Sequence, residues 1–300
     1  MTNRNHLRGL LALIAMALTW GAMAPLAKAA IEGGIPQSIV TCLRMWGCCV
    51  LFTLWSATLP KQKVCFKDLM LMALAGLLGI VGDQGLFILG LSMTSPVDGA
   101  VISFIIPVFT FVLSIVFLKQ KTTLRKAIGI ALGFIGAALM VLSTTKAGDK
   151  SGSVLGDIII IIAMFSFSSY LIFFADLIKK YRIDVMMKWM FLAASVYVAP
   201  IFFYELDVET LSQVGLIPWS ELLYVIVGGT FVPFLCMCVG QNHFTPETVS
   251  VFNYLQPVVG CTLAVWMGLT SYGLDKFIAT AFIFVAVWLV VQKGNSKQAN

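Results

Sequence analysis

Ten stretches of about twenty residues, each almost wholly apolar, follow one another along the chain with only short connections between them. They lie near 9–30, 36–59, 68–92, 96–118, 124–144, 155–178, 185–204, 219–241, 247–268 and 274–291. A hydrocarbon layer about 30 Å thick is crossed by about 20 helical residues rising about 1.5 Å each. Each stretch is therefore long enough to span a bilayer. A membrane β-barrel would alternate apolar and polar residues in roughly ten-residue strands, a pattern absent from these runs. The sequence predicts an all-α integral membrane protein with ten transmembrane helices. Composition agrees: 59% of the residues are hydrophobic and 11% charged, against about 25% charged in soluble domains.

The charges between the stretches set an orientation. With the N-terminus in the cytoplasm, inner segments hold 15 of the 20 Lys and Arg residues, including Arg4, Lys61, Arg125 and Arg182. Outer segments hold four (Lys28, Lys146, Lys150 and Lys276), and Arg44 lies within a span. Positive residues gather on the cytoplasmic side of membrane proteins, so both termini are expected there, in the cell inner (plasma) membrane. The positive balance therefore reports topology, not nucleic-acid binding. Arg4 and Arg8 before an apolar run, with small residues near Ala22–Ala24, imitate a signal peptide. Nine further spans favour an uncleaved first helix. The seven cysteines form no spaced cluster with histidine, and all but Cys65 lie in apolar runs; they read as packing residues.

The chain also repeats itself. Shifting residues 79–141 by 150 positions lays Gly79 on Gly229, Gly90 on Gly240, Pro96 on Pro246 and Pro107 on Pro257 without a gap. Coincidence among apolar residues is easy in such a chain, but two glycines and two prolines at one offset are harder to match by chance. Upstream, Ile14-Ala15-Met16 meets Ile162-Ala163-Met164 at offset 148. The boundaries that follow are 9–144 and 153–292, five spans each. An odd number inverts the second copy relative to the first, the arrangement that lets two copies tilt about a central site.

Several motifs resemble a known family. Ala17-Leu18-Thr19-Trp20-Gly21 leading to Pro25 and Lys28 is one. Thr94-Ser95-Pro96 followed by Phe104-Ile105-Ile106-Pro107-Val108-Phe109 is another, and Thr245-Pro246 followed by Tyr254-Leu255-Gln256-Pro257-Val258-Val259 is its second copy. In order and spacing they resemble the drug/metabolite transporter superfamily, EamA type, over nearly the whole chain. The resemblance implies two five-helix units and a path lined by helices 1, 3, 4, 6, 8 and 9. It also implies a cargo that is an amino acid or related metabolite, moved more by export than by uptake. One departure stands out: family members often carry a glutamate after the fourth and ninth helices, where this chain has Lys119-Gln120-Lys121 and Leu269-Thr270-Ser271.

Polar groups in the bilayer are costly and are functional candidates by default. Arg44 and Asp83 lie about 12 Å and about 14 Å from the outer ends of their helices at 1.5 Å per residue. They could pair, either to lock helix 2 to helix 3 or as a substrate anchor with proton linkage through Asp83. Neither has a charged counterpart in the second copy, where Leu192 and Pro233 stand. Pro107 and Pro257 each remove a backbone donor and kink their helices. Beside these kinks lie Ser103 in the first copy and Asn253, Tyr254 and Gln256 in the second, the candidate cavity donors. Trp20, Gln84 and Tyr170 complete the candidate substrate-binding set, with Ser166, Ser168 and Ser169 near Tyr170. Gln241, Asn242 and His243 read as a solvated helix end. Gly76, Gly79, Gly82 and Gly85 give helix 3 a smooth face for close packing.

No HExxH, GxSxG, P-loop or acidic metal cluster is present, so no enzyme, cofactor or metal is expected. Nothing resembles a channel filter. The reading is a secondary transporter of a small organic metabolite working by alternating access in the lipid bilayer, facilitated, exchanging or proton-linked, for which a monomer suffices. A non-transporting receptor or scaffold on the same fold is the alternative.

Overall fold

A computed structural model describes residues 3–94, 96–120, 122–142, 153–266 and 273–291. Ser95, Lys121, Lys146, Lys150, Leu269-Thr270-Ser271, the lysines beyond residue 292 and the outer ends of the two repeat boundaries lie outside them. Unbroken helices are α1 (Asn3–Glu32), α2 (Gln37–Ala57), α5 (Leu124–Leu142), α6 (Val154–Phe173), α7 (Ile183–Glu205) and α10 (Leu274–Val291). The others are composite. In α3 a π-helical stretch, Leu77–Gly85, joins Phe66–Gly76 to Leu86–Met93. In α8 a shorter one, Val227–Phe231, joins Leu216–Ile226 to Val232–His243. Helix α4 is Pro96–Ser103 and Ile106–Leu118 about a turn at Phe104 and Ile105. Helix α9 is Pro246–Val251, a 3₁₀ turn Phe252–Leu255, and Gln256–Trp266.

Among the described residues, nine helices are long and apolar enough to cross a membrane. The expected span near 247–268 is the interrupted α9, whose end runs past the described residues. Large apolar side chains such as Leu54, Val116, Val196, Leu223 and Phe284 stand on the outside. Against lipid tails such exposure carries none of the penalty it has in water. The interior is aromatic where α2, α7 and α8 meet: Phe52 stacks on Phe191 at 5.5 Å, and Phe191 meets Phe234 edge-on at 5.3 Å.

The packing carries the repeat in three dimensions. Helix α1 packs on α8 and α9, and its equivalent α6 packs on α3 and α4. Helix α2 packs on α7 and α8, and α7 packs on α2 and α3; α5 lies along α10. Exchanging the first five helices for the second five reproduces this set of pairs. The two copies therefore interleave, and helices of one fill the gaps between helices of the other.

The helix irregularities obey the same exchange. The π stretches begin at Leu77 and Val227, 150 residues apart, and the break in α4 at Phe104-Ile105 falls, on the same offset, within the 3₁₀ turn Phe252–Leu255 of α9. Each break sits just before its proline, Pro107 or Pro257, whose missing N–H leaves the preceding turn without a partner. There the chain tightens to i→i−3 bonds: Phe104 N–H to Val101 O at 3.2 Å and Ile105 N–H to Ile102 O at 3.0 Å. Wide π turns leave carbonyls off the regular ladder. Hydroxyls serve them here, Ser166 donating to Leu78 O at 2.9 Å and Thr230 to Val225 O at 2.8 Å.

Candidate functional site

A cavity of about 380 Å³ opens among α1, α3, α4, α5, α6 and α9. Its polar lining is Asp83 and Gln84 from the π stretch of α3, Ser103 at the break in α4, and Asn253 and Gln256 at the break in α9. The apolar lining includes Trp20, Met23, Phe87, Phe104 and Phe167, with Pro257 and Gly260 on α9. Backbone irregularity and polar side chains thus coincide at one place, because a kink or wide turn points side chains where a regular helix would not.

The polar groups come in bonded pairs. Gln84 donates its amide to Asp83 Oδ2 at 2.6 Å, and Gln256 donates to Asn253 Oδ1 at 2.9 Å. Ser103 gives its proton to Gly99 O at 2.7 Å, leaving its oxygen as an acceptor. Trp20 is held edge-on by Phe167 at 6.1 Å and Phe234 at 5.8 Å. Asp83 is the single ionisable residue of the lining.

Four sequence candidates lie elsewhere. Arg44 does not pair with Asp83: its Nε donates to Thr230 Oγ1 at 3.0 Å and its Nη2 to Met23 Sδ at 3.2 Å. The expectation that consecutive helices neighbour one another fails here because the copies interleave. Arg44 on α2 faces α8, whereas α3 packs on α6 and α7. Arg44 instead borders a second void, about 10 Å³, with Thr41, Ile80, Gln84, Thr230 and Phe234. Tyr170 and Tyr254 are fully buried away from the cavity. The Tyr170 ring fills the slot left by Gly79 and the Tyr254 ring that left by Gly133, and a Cβ at either glycine would overlap the ring. Tyr254 also donates to Ile130 O at 3.2 Å. Pro107 is buried beside the cavity lining without joining it.

Other expectations are modified. Helix α8 touches the small void through Thr230 and Phe234, and α5 contributes Val141 to the cavity in its place. The cavity residues Phe87, Met164 and Phe167 carried no sequence signal, since apolar residues fill every span. Gln241 is buried, not solvated, with neither side-chain amide atom hydrogen-bonded. Two of the three serines of α6 tie helices together: Ser166 donates to Leu78 O, and Ser168 reaches Ile106 O at 3.2 Å as well as Met164 O of its own helix at 2.8 Å, while Ser169 Oγ is buried without a hydrogen bond.

Both repeats match the sequence profile of the EamA-like transporter family, over residues 7–142 and 154–292. The chain belongs to that family, within the drug/metabolite transporters. It is a multi-pass membrane transporter of small molecules. A WAT1-related protein of Arabidopsis thaliana is 22% identical over 98% of this chain and 88% of its own length. The uncharacterized transporter YyaM of Bacillus subtilis is 24% identical over 76% of this chain and 74% of its own. Protein RarD of Escherichia coli is 26% identical over 79% and 76%. A solved crystal structure superposes with a TM-score of 0.78 at 17% identity, covering 94% of this chain and 95% of that one, so the fold is shared.

In this EamA-like transporter a set of polar bonds joins the connections at the end of the bundle away from the cavity. Lys180 bonds Asp68 at 2.5 Å and Tyr181 donates to the same carboxylate oxygen at 2.5 Å. That carboxylate holds the Lys180 ammonium above its ordinary pKa. Arg182 grips Asp184 with two bonds, at 2.9 and 2.6 Å, and donates to Pro60 O at 2.7 Å, joining the α6–α7 and α2–α3 connections. Lys126 on α5 stands 3.9 Å from the buried Glu247 of α9.

Proposed function

We propose that this chain is a secondary transporter of the inner (plasma) membrane that moves a small organic metabolite, an amino acid or related compound, by alternating access and in the export direction. In this reading ten spans form two inverted five-helix repeats, 9–144 and 153–292, with both termini cytoplasmic. The observation that carries it is the coincidence of paired helix irregularities with the cavity's polar groups. Each copy has one π stretch and one proline break, and the two breaks and the first π stretch meet at the cavity. Such points let helix halves tilt without breaking the helices on either side.

With the topology set by the positive residues, the cavity lies in the outer half, since it reaches Val141 at the end of α5 and Ala100 near the start of α4. The ties through Asp68, Asp184 and Glu247 then close the cytoplasmic end. Asp83, Gln84, Ser103, Asn253 and Gln256 bind the polar part of the cargo, and Trp20 with the phenylalanines takes its apolar part. Pro107 and Pro257 serve as the kinks. Proton linkage through Asp83 fits a lone carboxylate in a largely apolar lining.

Transport by purified protein in liposomes loaded with pooled radiolabelled amino acids and metabolites, with and without a pH gradient, tests this. Flux is expected from at least one pool, falling at least tenfold in Asn253→Ala and losing its gradient response in Asp83→Asn. Folded protein that moves no pool would overturn the carrier reading in favour of a receptor or scaffold.

A further inference from the structure

Two opposite charges are buried in the membrane at similar depth, and neither forms an ion pair among the described residues. Arg44 is 5% exposed and Asp83 is 8% exposed. An unpaired charge within a bilayer is expensive, and leaving two of opposite sign apart is more expensive than joining them. The neutral partners of Arg44, the Thr230 hydroxyl and the Met23 thioether, do not offset its charge. A guanidinium carries five N–H donors, and these two contacts use two of them.

The side chains that separate the two charges are few and flexible. Gln84 borders both the large cavity holding Asp83 and the small void holding Arg44. Met23 lines the large cavity and touches Arg44. Gln84 is unbranched and tethered by one hydrogen bond, to Asp83, and methionine is the most adaptable of apolar side chains. A rotation of these two would join the void to the cavity and place carboxylate and guanidinium in one chamber of net charge zero.

We infer that the cargo is a zwitterion whose ammonium group binds Asp83 and whose carboxylate binds Arg44, with Gln84 and Met23 as the movable partition between them. This rests on the carrier reading above and narrows its cargo class. An α-amino acid carries both charges on one carbon and bridges the two groups, so every charge in the bound site has a partner. An amine without a carboxylate leaves Arg44 unpaired, and an acid without an ammonium leaves Asp83 unpaired. Leaving a buried charge unpartnered is the strongest basis for discrimination between otherwise similar ligands. The aromatic lining of Trp20, Phe87, Phe104 and Phe167 selects an apolar side chain on that amino acid.

The test is competition for flux in proteoliposomes among matched probes: L-leucine, L-methionine, L-phenylalanine and L-threonine, each with its decarboxylated amine and its deaminated acid. The wild-type protein should move at least one zwitterion at least tenfold faster than its amine and its acid. Arg44→Gln should remove the preference for zwitterion over amine, and Asp83→Asn the preference over acid. Thermal midpoints of Arg44→Gln, of Asp83→Asn and of the uncharged double variant Arg44→Gln/Asp83→Asn check that the site variants fold. Amines or acids moving as fast as zwitterions in the wild type would overturn the inference while leaving the carrier intact. So would an Arg44→Gln variant that slows all three classes equally. Flux of none of the probes or pools would instead remove the carrier reading itself.

Discussion

The two repeats share a backbone and differ in what they hang on it. Both have a π stretch starting 150 residues apart and both break just before an equivalent proline. At the π stretch the first copy places Asp83 and Gln84, where the second has Pro233 and Phe234. At the break the order is reversed: the first has Ser103, Phe104 and Ile106, the second Asn253, Tyr254 and Gln256. Under the alternating-access proposal, a bend kept in both copies serves motion, which has to be matched on the two sides of the membrane. Under the same proposal, side chains kept in one copy serve a ligand, which has no two-fold symmetry. The cavity takes its charge and one amide, Asp83 and Gln84, from the first copy and two further amides, Asn253 and Gln256, from the second.

The sharpest way to break this comparison is at the equivalent pair Gln84 and Phe234. Phe234 is fully buried, packed edge-on against Phe191 and Trp20. Phe234→Ala should destabilise the protein by about 3–5 kcal/mol, as in other aromatic core truncations, lowering its thermal midpoint in detergent. Gln84→Ala removes one hydrogen bond beside a cavity and should cost less than about 1 kcal/mol while changing transport. Equal losses of stability would mean that the two positions play the same structural part. The next contrast is between the π-stretch glycines. A Cβ at Gly79 would strike the Tyr170 ring, whereas one at Gly229 would strike the Met23 side chain. A buried aromatic ring yields less than a methionine. Gly79→Ala should cost about 1–3 kcal/mol and Gly229→Ala clearly less, read from the same thermal midpoints.

Much of this could be read in the sequence, and what could not has physical causes. The spans, the repeat and the prolines are one-dimensional signals, because a bilayer demands length and apolarity and proline acts on its own helix. Asp83, Gln84, Asn253 and Gln256 stood out because polar residues in lipid are rare. The error over Arg44 arose from treating α2 and α3 as neighbours. The copies interleave, a property of the pair of halves that no single helix encodes. Tyr170 and Tyr254 looked like cavity residues because a polar aromatic in a span is conspicuous. Their destination is set by glycines far away in sequence, Gly79 and Gly133. The π stretches left no local mark beyond the glycines of α3 and α8.

The smallest expected effect comes from making the copies alike at one more position. Residue 104 is phenylalanine and its equivalent 254 is tyrosine, so Tyr254→Phe gives both breaks the same aromatic ring. The ring keeps its place against Gly133, and only the hydroxyl bond to Ile130 O at 3.2 Å is lost. That carbonyl belongs to a helix and retains its backbone partner, so the loss should be about 0.5–1.5 kcal/mol, a small fall in thermal midpoint. Flux and cargo preference should be unchanged, because the ring faces α5 and not the cavity. A change in cargo preference in Tyr254→Phe would place the hydroxyl in the transport path in a state other than the present one. The asymmetry at the break would then serve the ligand in full, with no part of it left to packing.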